Sequence, residues 1–239
     1  NGGTDYWRLW RAPERTLYAG APIHLRLTEN LSLDTTPYAQ FAYGNVPGGS
    51  TLSESGLYSG TQALSDVLSL PSAQDGTAVV RANYTQRSYR SGFTSALHYK
   101  VGWNDFVAGY WYDYSDDNEQ QPFTSVAVDG ASADIWATRN SATIDLSDGQ
   151  QLLGGSNHTI SQTSALYVGD HISLFRDRLA IDLGFKEVMM SRNGTNALPG
   201  PQYHVNTNSA EPLTRRGRRW RFTDQDQICL TDTTYSTAP

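Results

Sequence analysis

The chain has 239 residues, of which 38% are hydrophobic and 18% charged, with a formal charge of −6 and one cysteine. No Pro/Gly/Ser-rich linker divides it, so residues 1–239 read as one unit. The acidic balance argues against nucleic acid as a partner, Cys229 alone excludes an internal disulfide framework, and no run approaches the roughly 20 apolar residues of a spanning helix.

Spanning strands stay open, because each needs only about 10 residues with one apolar face and leaves the composition polar. The chain starts at Asn1-Gly2-Gly3 without an initiator Met and stops at Ala238-Pro239, so the expectation is a piece of something longer. In chain order, Ile23, Leu25 and Leu27 alternate with His24 and Arg26, and Thr28-Glu29-Asn30 reads as a tight turn. A long connection is expected over roughly 44–92, rich in Gly, Ser, Asn and Pro. Its best helix candidate, Thr61 to Leu70, is short and stops at Pro71. Phe93, Leu97, Tyr99 and Val101 then alternate with Thr94, Ala96, His98 and Lys100, ahead of a tight turn over Gly102 to Asp105.

The next strand carries Phe106, Ala108, Tyr110, Tyr112 and Tyr114 on one face and Val107, Gly109, Trp111 and Asp113 on the other. Such a ring-rich face suits lipid, with its last tyrosines at the interface, and Ser115-Asp116-Asp117-Asn118-Glu119 reads as the start of a wet outer loop over 115–160. After a tight turn at Phe175 to Arg178, Leu179, Ile181, Leu183 and Phe185 alternate with Ala180, Asp182, Gly184 and Lys186. A third long connection covers 193–210. In 212–222 the even positions, Arg216 and Arg218 among them, are expected to face lipid, and Thr223 to Asp226 turns into a last strand in which Asp232 and Ser236 also look out of place. Turns that are short on one rim and connections that are long on the other are what an outer-membrane barrel has and a soluble β-sandwich lacks.

The stretch SALYVGDHISLFRDRLAIDLGFKEVMMSRNG at 164–194 resembles the TonB-dependent outer-membrane receptors, with Tyr167, Asp170, Asp177, Arg178, Leu179, Gly184 and Lys186 carrying the match. LSLDTTPYAQFAYGN at 31–45, AGYWYDYSDD at 108–117 and EPLTRRGRRWRFTDQDQI at 211–228 extend it, from about residue 20 to the end. The resemblance implies a barrel of about 22 strands with a plugged lumen, of which these residues supply an internal part: about eight strands in four hairpins. It implies a Gram-negative outer membrane, contact with lipid, uptake of a scarce extracellular solute (siderophore-iron, corrinoid or glycan), and TonB reached only through plug residues missing here. No cofactor is implied. A secreted β-sandwich carbohydrate-binding module and a β-rich carbohydrate-active enzyme are the alternatives.

For catalysis the sequence offers no G-x-S-x-G, no P-loop and no convincing pair of carboxylates, so no enzyme is expected. His24, His98, His158, His171 and His204 are dispersed without metal-ligand spacing, and the acidic group Asp113, Asp116, Asp117 and Glu119 lacks a calcium-loop pattern. The five arginines between Arg215 and Arg221 alternate as a strand's two faces do, rather than forming a nucleic-acid arm. Solute capture is expected at loop aromatics set among Gly, Ser and Asn: Tyr58, Tyr84, Tyr89, Phe123, Trp136 and Tyr203.

Overall fold

A computed structural model describes residues 3–71, 73–127, 134–138, 143–176, 178–200, 204–221 and 226–233. The elements in chain order are a 3-10 turn at Trp7–Trp10, β1 (Glu14–Gly20), β2 (Ile23–Arg26), β3 (Leu31–Asn45), β4 (Gly48–Ser53), β5 (Tyr58–Ser59) and β6 (Gln62–Ala63). They continue with β7 (Thr77–Ala82), β8 (Thr85–Val101), β9 (Asn104–Ser125), β10 (Leu153–Leu174), β11 (Leu179–Asn196), β12 (His204–Arg221) and β13 (Gln227–Thr233). The main sheet runs β1-β3-β8-β9-β10-β11-β12-β13, every pair antiparallel. β1 and β2 lie end to end along β3, parted at Ala21-Pro22 because proline has no N–H for the ladder; Ala21 instead donates to the Pro37 carbonyl at 3.0 Å.

All the tight turns gather on one rim, as the loop lengths predict. Lys100 donates to the Asn30 carbonyl (2.8 Å), Ser173 to Trp103 (2.9 Å) and Arg221 to Arg178 (2.7 Å), tying neighbouring hairpin ends together. Gly102 takes a φ of +59° in the two-residue link between the paired Val101 and Asn104, a conformation that a residue with a Cβ resists. Of the expected turn Thr223 to Asp226, residues 223–225 lie outside the described residues, as do Asp177, Phe222 and Ser236; Arg221 nevertheless pairs with Gln227 on the same rim.

Directly paired residues share a face, so the register sorts the side chains. One row reads Leu25, Leu33, Leu97, Ala108, Val168, Phe185 and Thr214. The face it belongs to also holds Phe93, Tyr99, Phe106, Ile181 and Leu183 and stays open: Leu97 is 39% exposed, Leu166 53% and Val168 55%. A sandwich would bury these side chains against a second sheet. The opposite face carries His24, Asp34, His98, Asp113, Tyr167, Asp182, Lys186 and Arg215. A slip of one residue would exchange the two sets.

Two expectations fail at the other rim. Ser115 to Glu119 are not loop: β9 runs on to Ser125, and β10 and β8 flank it, with Ser115 paired to Ser161 and Arg90. Strand continues through polar sequence here because neighbours on both sides satisfy its backbone groups. The long connections are accordingly shorter than expected, leaving 46–84 between β3 and β8, 126–152 between β9 and β10, and 197–203 between β11 and β12. Neither are the first two structureless. β4 pairs with β7, which joins the end of β9, and beneath them Leu57, Leu68, Ala78, Val80, Ile144 and Leu152 form a buried core of their own. Thr61 to Leu70 forms no helix: Gln62 and Ala63 pair with β5, while Leu64, Leu68 and Leu70 drop into that core. The result is a cap seated on the strand ends opposite the tight turns.

Candidate functional site

On the polar face, a group of side chains converges at mid-height of β3, β8 and β9. The Tyr38 hydroxyl donates to the Asp113 carboxylate, and Arg90 Nε reaches both carboxylate oxygens at 2.9 and 2.8 Å. Trp111 Nε1 donates to the Tyr38 hydroxyl at 3.1 Å, the Lys186 ammonium lies 5.7 Å from the Trp111 ring centre, and Tyr18 stacks on Tyr38 with centroids 6.3 Å apart. Asp113, only 7% exposed, is thus held by a cation and a phenol, which offsets the cost of withdrawing its charge from water.

Two glycines make this packing possible. A Cβ on Gly92 would strike the Tyr112 carbonyl and the Tyr38 ring, and one on Gly109 would strike the Tyr167 ring. The rings lie flat across strand backbone because those positions carry no side chain. What results is a wall of ring faces edged by an ammonium, a guanidinium and hydroxyls, suited to stacking against a flat or hydroxylated solute. Nearer the tight turns the same face carries the ion pair Lys100–Asp105 (3.1 Å) and three histidine–carboxylate contacts: His24–Asp34 (2.6 Å), His98–Asp34 (3.5 Å) and His171–Asp182 (2.6 Å).

Besides strand pairing, the cap is fastened by a cluster of buried polar side chains centred on Arg81. Arg81 has no exposed surface and donates to four carbonyls: Leu9 (3.3 Å), Arg11 (2.7 Å), Asp134 (3.0 Å) and Ile135 (3.2 Å). Burial pushes its guanidinium below the ordinary value, and the Asp134 charge works in the opposite direction. Beside it Asn45 bonds Asn83 (2.9 Å) and the Ile135 carbonyl (2.9 Å), and Asn83 bonds the Pro122 carbonyl (3.0 Å) and Thr124 (3.1 Å). The cap also holds a cleft of about 550 Å³ between 65–71 and 143–147, where Asp66 accepts the Ser147 amide at 2.8 Å. The Ser147 side chain and amide hold the Asp66 carboxyl below its usual range.

The loop aromatics expected to capture solute are dispersed. Tyr58 is 63% exposed on β5, and Tyr89 is 51% exposed on the apolar face of β8, its ring 5.0 Å from that of Phe41. Phe123 packs against the cap core. Trp136 takes the Tyr43 hydroxyl on its carbonyl (2.8 Å) and Arg15 over its ring (5.4 Å). Tyr84 bonds Glu119, and burial first, then that bond, push its phenol up to about 12. Tyr203 lies outside the described residues. The wall around Trp111 and Asp113 lies on strands, whereas the sequence expectation places solute capture on loops; Gly92 and Gly109, isolated inside strands, are the signal that marks it.

No protein-family model matches the sequence, and no curated protein matches it significantly. Among solved structures the fold is similar to that of the ferric citrate transporter FecA in its unliganded form, with a TM-score of 0.57 and 12% identity over 91% of this chain. The ferric yersiniabactin uptake receptor FyuA from Yersinia pestis aligns at 12% identity over 91% of the chain, with a TM-score of 0.47. The chain spans 27% of the length of either structure. What the first likeness shows is the fold: these residues form an open, antiparallel sheet similar to part of that transporter, in line with the architecture that the sequence resemblance implies.

Proposed function

We propose that these residues form part of the wall of a TonB-dependent transporter in a Gram-negative outer membrane, serving uptake of a scarce solute such as a siderophore-iron complex, a corrinoid or a glycan. The observation that carries this reading is the division of one sheet into an exposed apolar face and a polar, ring-bearing face, with every tight turn on one rim and a folded cap on the other. In this reading the apolar face meets lipid, the cap faces outward, and the Tyr38–Trp111–Asp113 wall lines the lumen. Contact with TonB belongs to a plug outside these residues. The chemistry is passage and binding rather than catalysis.

Spin labels test it. With Cys229→Ser as background, single cysteines at Leu97, Leu166 and Phe185 are expected to be accessible to oxygen and shielded from a water-soluble nickel chelate in the whole receptor. Cysteines at Thr94 and Lys186 should show the opposite preference. Equal chelate access at both sets would overturn the membrane reading.

A further inference from the structure

Arg216 and Arg218 sit on the apolar face, where the register sets Arg218 between Ile181 and Leu230, and Arg216 between Leu183 and Asp232. The acidic groups facing them from packed strands are Asp232, opposite Arg216, and Asp170, across Leu183, whose Oδ1 is buried without a partner. Among the described residues neither arginine forms an ion pair. Arg218 is flanked on both sides by aliphatic side chains, and Arg216 forms no ion pair with the Asp232 opposite it, so both guanidinium groups keep their N–H donors open to a ligand on a surface that otherwise favours hydrocarbon.

Their height along the strand matters. Trp220, on the same face, is 43% exposed, and its ring lies 6.3 Å from that of Phe175 in a tight turn; such an aromatic pair marks the membrane interface. At about 3.4 Å per residue, Arg218 and Arg216 stand roughly 7 and 14 Å further along β12, and their long stems let the guanidinium groups reach back toward headgroup level. Beyond them the apolar face is hollowed. Ala108 and Ser95 are small where Leu97, Tyr110 and Leu166 are large, which opens a groove of about 550 Å³ that ends at Phe185 and Glu187. Phe185 is paired with Thr214, one same-face step from Arg216.

We infer that this strip binds one anionic phospholipid of the periplasmic leaflet, its phosphate held by Arg216 and Arg218 and one acyl chain laid in the groove. A phosphate diester supplies negative charge beside Arg218, where neither neighbouring strand does, and accepts the forked N–H groups of guanidinium, and an aliphatic chain fills the hollow left by Ala108 and Ser95. The inference rests on the membrane reading above.

Native mass spectrometry of the delipidated receptor carrying this segment, in mild detergent, tests it with dioleoyl phosphatidylglycerol, dioleoyl phosphatidylethanolamine, dihexanoyl phosphatidylglycerol and inorganic phosphate. The expected result is a retained phosphatidylglycerol adduct, weakened about ten-fold or more in the double variant R216Q/R218Q and unchanged in Arg215→Gln on the opposite face. Ala108→Phe, which fills the groove, should abolish the preference for dioleoyl over dihexanoyl chains while heat-modifiable migration reports an intact barrel. Equal retention of phosphatidylethanolamine, indifference to the double variant, or competition by inorganic phosphate alone would each overturn the proposal. If the Leu97 label is oxygen-accessible and no lipid is retained, this inference fails and the membrane reading stands; if Leu97 is open to the chelate, both fail.

Discussion

Arg81 shows how much one residue can organise. Carbonyl partners of Arg81 come from the 3-10 turn region and from 134–135, segments far apart in sequence, so Arg81→Met would leave several acceptors unpaired at a cost of about 3 kcal/mol or more in cap stability. Limited proteolysis should cut the variant within 46–84 while the sheet below keeps its heat-modifiable migration. Tyr84 adds a pH dependence of definite sign. Its phenol is raised from 10.0 to about 12 in the folded protein, so the stabilisation it contributes is complete below pH 10 and is lost as pH climbs toward 12. Cap proteolysis in Tyr84→Phe, which does not titrate, should lack that component, and identical profiles would show that the Tyr84 phenol is not raised in the folded cap. Neither residue was legible in the sequence as an anchor. An isolated arginine among valines and alanines at Thr77–Ala82 carries no pattern, since its partners are backbone carbonyls that any residue supplies.

At the scale of elements, period-2 alternation told the faces correctly for the strand centres, and the short turns fixed their order. Leu179, Ile181, Leu183 and Phe185 share a face with Phe93, Leu97, Tyr99 and Val101, as the alternation predicts, because one apolar surface demands that register across every ladder. The outer ends of β9, β10 and β11 were not legible: where both faces are wet, polar residues pair as well as apolar ones and look like loop. The cap core was hidden for a different reason, since Leu57, Leu68, Ile144 and Leu152 follow neither a 2.0 nor a 3.6 period. The close strand contacts predict an order of severity. Gly92→Ala meets a backbone carbonyl that cannot swing aside, whereas Gly109→Ala meets the far end of the Tyr167 ring, which can. Both should destabilise, within about 1–3 kcal/mol, with Gly92→Ala the worse; the temperature at which the compact band is lost on a denaturing gel reads the order.

For the whole molecule, β1 with β2 and β13 are the two edges of the sheet, each paired on one side only among the described residues. In hydrocarbon an unpaired backbone group costs several kcal/mol, so residues 1–239 by themselves are not expected to make a stable pore. Expressed alone with an outer-membrane signal in a strain lacking other receptors, they should give no TonB-dependent solute uptake; uptake would show that the sheet closes in a way its edges do not suggest. The cap bears on how such a wall is built. Hairpins joined by two to five residues can be drawn through a bilayer, but a body with its own core around Val80 and a fully buried Arg81 cannot pass as a folded object. In the proposed membrane reading the cap therefore takes its shape only after its chain has crossed, and from then on it works as the head of a rivet: the strands cannot slide back toward the periplasm without first dismantling it, so insertion in one direction becomes a one-way step.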